Sequence, residues 1–282
     1  MTKQKLIHNG KLLDADKCFI SPNNRSFRYG DGCFETMKLI NGKISLADYH
    51  FERLFASLDL LQFEKPGYLN AQLLKDQILD IAQKNQHQKL ARIRLTFFRG
   101  DGGLYDAENH FPNYIIQSWE LNPATNQLNE NGLVIDIFKD AKKVCDHYSH
   151  IKSNNYLSYA MASLWAKKNH LNDALLLNPY NNIADATIAN IWIVKDGIIK
   201  TPALTEGCVA GIMRRHLLKG IRAEAMPVKE TQITVDDLLQ AQEVFLTNAI
   251  QGIKWVKQCG NSNYHTQVGA LLHKKFVAPL FQ

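Results

Sequence analysis

The clearest pattern of hydrophobic and polar positions is in residues 90–100, LARIRLTFFRG, where apolar and polar side chains alternate. The apolar positions are Ile93, Leu95 and Phe97, and the polar positions are Arg92, Arg94 and Thr96. A period of two residues is typical of a strand with one buried face. The stretch NYIIQSWEL, residues 113–121, has the same character, and we predict that it is the neighbouring strand.

Other patterns in the N-terminal half predict a hairpin and two helices. Residues 6–13 form a hairpin around Asn9-Gly10, a dipeptide typical of tight turns. Ser45-Leu46-Ala47-Asp48 has the spacing of a capping box and opens a helix. The apolar positions of this helix are Phe51, Leu54, Phe55, Leu58 and Leu61. A second helix is predicted over residues 68–84.

The C-terminal half is richer in short apolar strands separated by turns. The predicted strands are LVIDIF, ALLLN, IANIWIV, IIKT, VFLTN and IKWVKQ, with helices after Lys152, Gly211, Thr234 and His265. Residues 122–132, NPATNQLNENG, combine turn formers with few apolar residues and are the predicted linker. We therefore predict an α/β protein with a small α/β domain (1–121) and a larger barrel-like domain with helices (133–282).

Composition narrows the class of protein. The chain has 282 residues, of which 45% are hydrophobic and 21% charged, as expected for a globular protein with a sizeable core. Neither a secretory signal nor the roughly 18 to 20 consecutive apolar residues of a membrane span is present, so we expect a cytoplasmic protein. The net charge of +6 has no Lys/Arg block, which argues against nucleic acid and favours small anionic ligands.

Several common catalytic motifs are absent from the sequence. It has no GxxxxGK[ST], GxGxxG, HExxH or GxSxG motif. Its five cysteines are scattered without a CxxC pair, which favours reduced thiols over disulfides or zinc. The segment from Cys145 to His150 matches no familiar set of metal ligands, and no metal site is predicted.

Four features are individually ordinary but together suggest one cofactor. Lys152 lies at the head of an apolar helix, Arg53 could clamp a phosphate or face solvent, and Asp185 could hold a cationic nitrogen or cap a turn. Glycines precede a helix whose first amides, those of Ile212 and Met213, could bind an anion or merely begin a core helix. A pyridoxal phosphate enzyme needs such a lysine, carboxylate and donor-rich pocket.

The order of motifs along the chain resembles the class IV aminotransferases, which are pyridoxal phosphate enzymes of fold type IV. The motifs are FRYGDGCFETMKLINGK, HFERL, RIRLTFFRG, HIKSNNYL, IADATIANIWIVKDGIIKTP, GCVAGIMRR and VFLTNAIQGIKWV. The resemblance spans residues 1 to about 257 and implies a homodimer with its active site near the subunit boundary.

The resemblance also implies a role for individual residues. Lys152 corresponds to the Schiff-base lysine and Arg53 to the phosphate-binding arginine. The further implied cofactor contacts are Tyr156, Ile212, Met213, Thr247 and Asn248. The family usually has a glutamate at the position of Asp185, so the chain departs from its relatives by one methylene at the group that would hold the pyridine nitrogen.

Three activities of the family compete. GDGCFET, VAGIMRR and LTNAIQGI are most similar to the 4-amino-4-deoxychorismate lyases of folate biosynthesis, whose substrate is a small anionic amine. Arg94 and Arg99 are the predicted carboxylate-binding residues, and Thr36 is a candidate pocket hydroxyl; the alternatives are a solvated sheet face and an ordinary strand residue. Branched-chain and D-amino acid transamination remain open, although no Arg-x-His sequence follows Arg99. A cofactor-binding regulatory protein without turnover is the alternative of another class.

Overall fold

The computed structural model describes residues 4–281, which form two compact units. The first unit comprises the described residues up to Pro123 together with Lys152–Asn155. The second comprises Ala124–Ile151 and the described residues from Tyr156 onwards. The sequence places the segment that carries Lys152 in the C-terminal domain, but it belongs to the first unit because it hydrogen-bonds to a strand of that unit.

The first unit contains a six-stranded sheet in the order β2-β1-β6-β5-β3-β4, with antiparallel neighbours. Its strands are β1 (Lys5–His8), β2 (Lys11–Asp14), β3 (Gly32–Ile40), β4 (Lys43–Ile44), β5 (Leu90–Arg99) and β6 (Pro112–Glu120). The predicted strand over 90–100 and its neighbour are confirmed. The predicted hairpin is also confirmed, with Asn9 and Gly10 both at positive φ between β1 and β2.

One face of this sheet is covered by helices. The helices of the unit are α1 (Arg25–Tyr29), α2 (Ala47–Leu60) and α3 (Ala71–Lys84). Helix α2 packs on β3, and α3 packs on β1 and β6. Ile93, Leu95 and Phe97 are fully buried on the covered face, as their alternation predicts. The opposite face carries Arg94 and Thr96 and is partly exposed in the single chain.

Both helix starts differ from the sequence prediction. The capping box at Ser45 is wrong, because Leu46 occupies the N-cap position at φ 54 without a side-chain cap, and the Ser45 Oγ has no hydrogen-bond partner. Helix α3 begins at Ala71, three residues later than predicted, because the side chain of Asn70 accepts the amide hydrogen of Leu73.

The second unit is built on a nine-stranded sheet in the order β12-β11-β10-β13-β14-β7-β8-β9, with β15 paired to β14. Its strands are β7 (Leu133–Lys142), β8 (Asp173–Leu177), β9 (Ile183–Ala186), β10 (Asn190–Lys195), β11 (Ile198–Pro202), β12 (Val228–Thr231), β13 (Glu243–Asn248), β14 (Gly252–Cys259) and β15 (Ser262–Asn263). All six strands predicted for this half are present. The sheet is mixed, since β7 runs parallel to both β8 and β14.

Helices follow the strands at each predicted place. They are α4 (Leu157–Lys168), α5 (Ile212–Ala223), α6 (Val235–Leu239) and α7 (Val268–Leu272). Apolar residues of β8, β10, β13 and β14 form the main core of the unit, and a smaller core lies between α4 and β7 and β8. Within residues 4–281, no helix is both long and apolar enough to cross a membrane.

Candidate active site

Lys152 is held against strand β3 by its own backbone. The Lys152 carbonyl accepts the amide hydrogen of Phe34 at 2.9 Å, and the amide of Asn154 donates to the Gly32 carbonyl at 2.9 Å. Gly32 has φ +153, and a Cβ there would lie 2.2 Å from the Phe97 carbonyl oxygen. The same Cβ would lie 2.6 Å from the Asn154 Nδ2, so glycine at position 32 leaves room both for strand β5 and for the segment that carries Lys152.

The side chains of Lys152 and Arg94 meet at one aromatic ring on the partly exposed face of the first sheet. The Lys152 Nζ lies 4.7 Å from the centroid of the Phe34 ring, and the Arg94 guanidinium carbon lies 3.8 Å from it. The Arg94 Nε donates to the Thr96 Oγ1 at 3.1 Å, and Thr36 is directly opposite Arg94 across β3 and β5. The structure thus brings a predicted substrate arginine next to the predicted catalytic lysine.

Arg53 is anchored by a buried acid. Its Nε donates to the Glu35 Oε1 at 2.7 Å, and its Nη2 donates to the Glu35 Oε2 at 2.6 Å. The His50 Nδ1 lies 2.6 Å from the same Oε2. Burial alone would raise the pKa of Glu35, but the Arg53 guanidinium and these hydrogen bonds lower it to about 2. Arg53 therefore does not lie on a solvated helix face.

Arg99 is engaged by protein acceptors at every guanidinium nitrogen. Its Nε donates to both carboxylate oxygens of Asp31, at 3.1 and 3.2 Å. Its Nη1 contacts the Gln62 carbonyl and the His110 ring, and its Nη2 donates to the Leu61 carbonyl. Substrate binding by Arg99 stays a prediction, and the contacts assign this side chain to holding the surrounding loops.

Asp185 in β9 is a buried carboxylate with three donors. Its Oδ2 accepts the Val209 amide at 2.7 Å and the Tyr159 hydroxyl at 3.2 Å, while its Oδ1 accepts the Asn190 Nδ2 at 2.9 Å. Burial raises the pKa of Asp185 to about 7 despite these donors. No lysine or arginine of the described chain forms an ion pair with it, so it can accept a cationic N–H at the second lone pair of Oδ1.

The start of helix α5 has the features of an anion site within the second unit. Gly211 is the N-cap and no side chain caps the helix, which leaves the first amides, those of Ile212 and Met213, facing out of the helix end. A Cβ at Gly211 would lie 1.8 Å from the Asn190 Oδ1, so a larger residue at this position would displace the Asn190 amide. The Asn190 Nδ2 donates to the Val209 carbonyl at 2.8 Å and fixes the preceding loop.

Three other predicted cofactor residues have structural contacts. The Thr247 Oγ1 accepts the indole N–H of Trp192 at 3.0 Å. The Asn248 Oδ1 accepts the amides of Ile250 and Gln251, so it shapes the turn after β13. Tyr156 is the exposed N-cap residue of α4. Their contribution to cofactor binding stays a prediction.

Sequence reasoning missed several residues next to the predicted ones. Glu35 lies on the covered face of β3 between Cys33 and Met37. A glutamate in an otherwise apolar alternation indicates a buried ion pair, and this signal is present in the sequence. Tyr159 touches Asp185, and the Lys143 Nζ lies 5.8 Å from the Tyr159 ring. Burial lowers the pKa of Lys143, against the opposing charge of Asp185. These contacts join distant segments, and no sequence spacing indicates them.

The predicted cysteine chemistry and metal content can be compared with the described residues. All five cysteines are free thiols. Among residues 4–281, no group of three or more His, Cys, Asp or Glu side chains is arranged to hold a metal ion.

Residues 32–259 match the family Amino-transferase class IV, so the chain belongs to this family, whose members depend on pyridoxal phosphate. The chain is 29% identical to the aminodeoxychorismate lyase of Vibrio harveyi over 82% of its own length and 83% of that protein. It is 28% identical to a putative branched-chain-amino-acid aminotransferase of Methanocaldococcus jannaschii, over 96% and 93% of the two chains. A D-alanine aminotransferase of Listeria monocytogenes is 25% identical, over 86% of this chain and 83% of that one.

A solved structure has the same fold. The branched-chain aminotransferase of the archaeon Thermoproteus uzoniensis, solved with norvaline, superposes with a TM-score of 0.87 and 21% identity, covering 99% of this chain and 95% of that one. The predicted fold class, a mixed α/β fold of class IV aminotransferases, is confirmed. The prediction of a pyridoxal phosphate-dependent enzyme is also confirmed.

Proposed function

We propose that this chain is a 4-amino-4-deoxychorismate lyase, which releases 4-aminobenzoate and pyruvate. The observation that carries the proposal is the placement of Arg94 and Lys152 at the same Phe34 ring. The substrate is a dicarboxylate, and a guanidinium is a strong partner for a carboxylate. The similarity to aminodeoxychorismate lyases supports the same activity.

Each of the two units contains residues that suit a part of pyridoxal phosphate. We assign the covalent link to Lys152, the phosphate to Arg53 and to the Ile212 and Met213 amides, and the ring nitrogen to Asp185. The uncapped start of α5 can receive a dianion, because helix dipole and amide donors act together there. A buried carboxylate whose pKa is raised to about 7, and which forms no ion pair with a lysine or arginine of residues 4–281, is stabilised by a protonated nitrogen beside it.

The cofactor, when bound, supplies an electron sink for the carbon that bears the substrate amine. Lys152 would then remove the proton from that carbon. The C–O bond to the enolpyruvyl group breaks with its electron pair, and the ring that remains is aromatic. Lys152 would deliver its proton to the methylene carbon of the departing enolpyruvate, which gives pyruvate and returns the lysine to its starting state. Arg94 would hold a substrate carboxylate throughout.

Transamination is the second candidate. Relatives of this chain include a putative branched-chain aminotransferase and D-alanine aminotransferases, at similar identity to the lyases. An arginine and a histidine do meet in the fold, since the Arg99 Nη1 lies 3.0 Å from the His110 Nδ1. That arginine is already committed to Asp31, however, so the pair gives D-amino acid transamination little support. A regulatory protein without turnover is the remaining alternative, motivated by Asp185.

We also propose a homodimer. Helix α4 exposes Leu157, Met161 and Leu164, whose side chains are 71%, 46% and 61% exposed in the single chain. Their i, i+4, i+7 spacing makes one apolar stripe, and soluble monomers rarely leave such a stripe uncovered. A two-fold axis would pack the stripe on its own copy.

The deciding experiment compares substrates directly. Purified protein is incubated with enzymatically made aminodeoxychorismate, and separately with branched-chain and D-amino acids plus 2-oxoglutarate, and the products are identified. Release of 4-aminobenzoate and pyruvate, absent in Lys152→Ala, supports the lyase. Keto acid formation without 4-aminobenzoate identifies a transaminase, and cofactor binding without any product favours the regulatory alternative.

A further inference from the structure

The group formed by Glu35, His50 and Arg53 is unusual for its burial. The side chains of Glu35 and His50 are 2% and 0% exposed, and that of Arg53 is 12% exposed. Removing charges from water is costly, and apolar residues of the same volume often stabilise a fold better. A stability role alone does not account for an acid, an imidazole and a guanidinium packed together at this position.

Hydrogen bonds connect the three side chains in series, from the buried His50 through Glu35 to the guanidinium of Arg53. Helix α2 places His50 and Arg53 three residues apart, so both reach β3 from one helix face. Glu35 receives the Nε and Nη2 of Arg53 as a two-point fork. Because the guanidinium is planar, this fork fixes the direction of its opposite edge, which carries Nη1. Arg53 is the most exposed member of the group.

The protonation state of His50 determines which of its ring nitrogens donates to Glu35. Burial lowers the pKa of His50, so the ring is neutral at neutral pH and carries one N–H. A carboxylate accepts only, and the Nδ1 therefore donates to the Glu35 Oε2 at 2.6 Å. The buried Nε2 has no hydrogen-bond partner. The polar contact of the His50 ring is thus its hydrogen bond to Glu35.

We infer that Glu35 and His50 are positioning residues that aim the Arg53 guanidinium at the phosphate of the cofactor. The inference rests on the proposed function only through the assignment of Arg53 to the phosphate. It adds a chain of two residues, neither of which touches the cofactor, that sets how tightly the phosphate is bound. The hydrogen bond from His50 keeps the carboxylate from turning, and the carboxylate keeps the guanidinium from turning.

The test compares two ligands that differ only in the phosphate. Wild type, His50→Leu and His50→Asn are stripped of cofactor and titrated with pyridoxal phosphate and with pyridoxal. His50→Leu removes the donor to Glu35 and should weaken binding of pyridoxal phosphate about tenfold, the effect of one hydrogen bond to a charged group. Its affinity for pyridoxal should not change. In His50→Asn the amide replaces Nδ1, and this variant should restore most of the affinity.

Controls separate a positioning role from a structural one. His87→Gln changes a histidine of the same unit that also uses its Nδ1, toward the Ser118 Oγ, and should leave both affinities unchanged. Equal weakening of both ligands by His50→Leu would overturn the inference, and so would no weakening. If His50→Leu does not fold, Glu35→Gln is held to the same two-ligand comparison.

Arg53→Ala distinguishes failure of the inference from failure of the proposed function. If Arg53→Ala weakens pyridoxal phosphate selectively and His50→Leu does not, only the positioning role is wrong. If Arg53→Ala has no selective effect, the phosphate assignment itself is wrong. In the Arg53→Ala background, His50→Leu should have no further effect on the ratio of the two affinities.

Discussion

Replacing Asp185 by asparagine tests the electron-sink assignment in two independent ways, the first of which needs no cofactor. Burial raises the pKa of Asp185 from its ordinary value of 3.8 to about 7, so the folded protein binds this proton more tightly than the unfolded chain does. The resulting stabilisation is fully present below about pH 4 and is lost as the pH rises toward 7. About three pH units at about 1.4 kcal/mol per unit give a loss of about 4 kcal/mol.

The side chain of Asp185→Asn cannot ionise, so the variant should not lose this stability as the pH rises. The free energy of unfolding is measured by denaturant titration of cofactor-free wild type and variant between about pH 4 and pH 8, the range that brackets the shifted pKa. The variant also differs from wild type in its free energy of unfolding at every pH, because its amide cannot accept from all three donors, Val209, Asn190 and Tyr159. The informative quantity is therefore how the difference in free energy of unfolding between variant and wild type changes with pH. A difference that stays constant would show that the carboxyl group is not desolvated as described.

The second arm measures turnover. A charge-assisted hydrogen bond to the ring nitrogen contributes about 1.5 to 3 kcal/mol, so Asp185→Asn should lose at least about tenfold in turnover with cofactor still bound. Product formation and cofactor occupancy are measured together. If the variant matches an active wild type, Asp185 only fastens the Val209 loop and another group holds the nitrogen.

Three further predictions concern Lys152, the substrate arginine and the dimer. Borohydride reduction should fix the cofactor to Lys152, and Lys152→Ala should retain little activity; peptide mapping that finds the label elsewhere contradicts the assignment. Arg94→Gln should raise the KM for aminodeoxychorismate about tenfold, whereas Arg92→Gln, exposed over Trp119 on the same face, should not; equal kinetics would reject a carboxylate role. Leu164→Lys should give a monomer in light scattering, and an unchanged mass would exclude the α4 stripe as the interface.

Much of the fold could be predicted because apolar periodicity reports burial directly. Strands β5 and β6 and the six predicted strands of the second unit follow from alternation or from short apolar runs. The helix starts were less predictable. At Ser45 the spacing of a capping box is present, but the chain enters α2 through Leu46 in a left-handed conformation, and backbone geometry is not encoded in that spacing.

The candidate site was predictable only as far as residue identity goes. The motifs make Lys152, Arg53 and Asp185 candidates, but the residues that contact Arg53 and Asp185 come from distant parts of the chain. Glu35 reaches Arg53 from another element, and Tyr159 reaches Asp185 across 26 residues of sequence. Hydrogen bonds of this kind depend on tertiary packing, for which one sequence offers no periodic signal. The contact of Arg99 with Asp31 is of the same kind, since the two residues are 68 positions apart and no sequence spacing indicates their hydrogen bond.

The aspartate at position 185 can be reconciled with a family that usually has glutamate by considering what fixes its carboxylate. The same segment supplies its donor and the start of α5: Val209 donates to Asp185 at 2.7 Å, and Gly211, two residues later, is the N-cap of the helix. Asn190 joins both parts, since its Nδ2 donates to Asp185 and to the Val209 carbonyl. Hydrogen bonds therefore connect the carboxylate to the loop that leads into Ile212 and Met213. In such a frame, a shorter side chain can draw the loop with it and preserve the spacing between the proposed nitrogen and phosphate contacts.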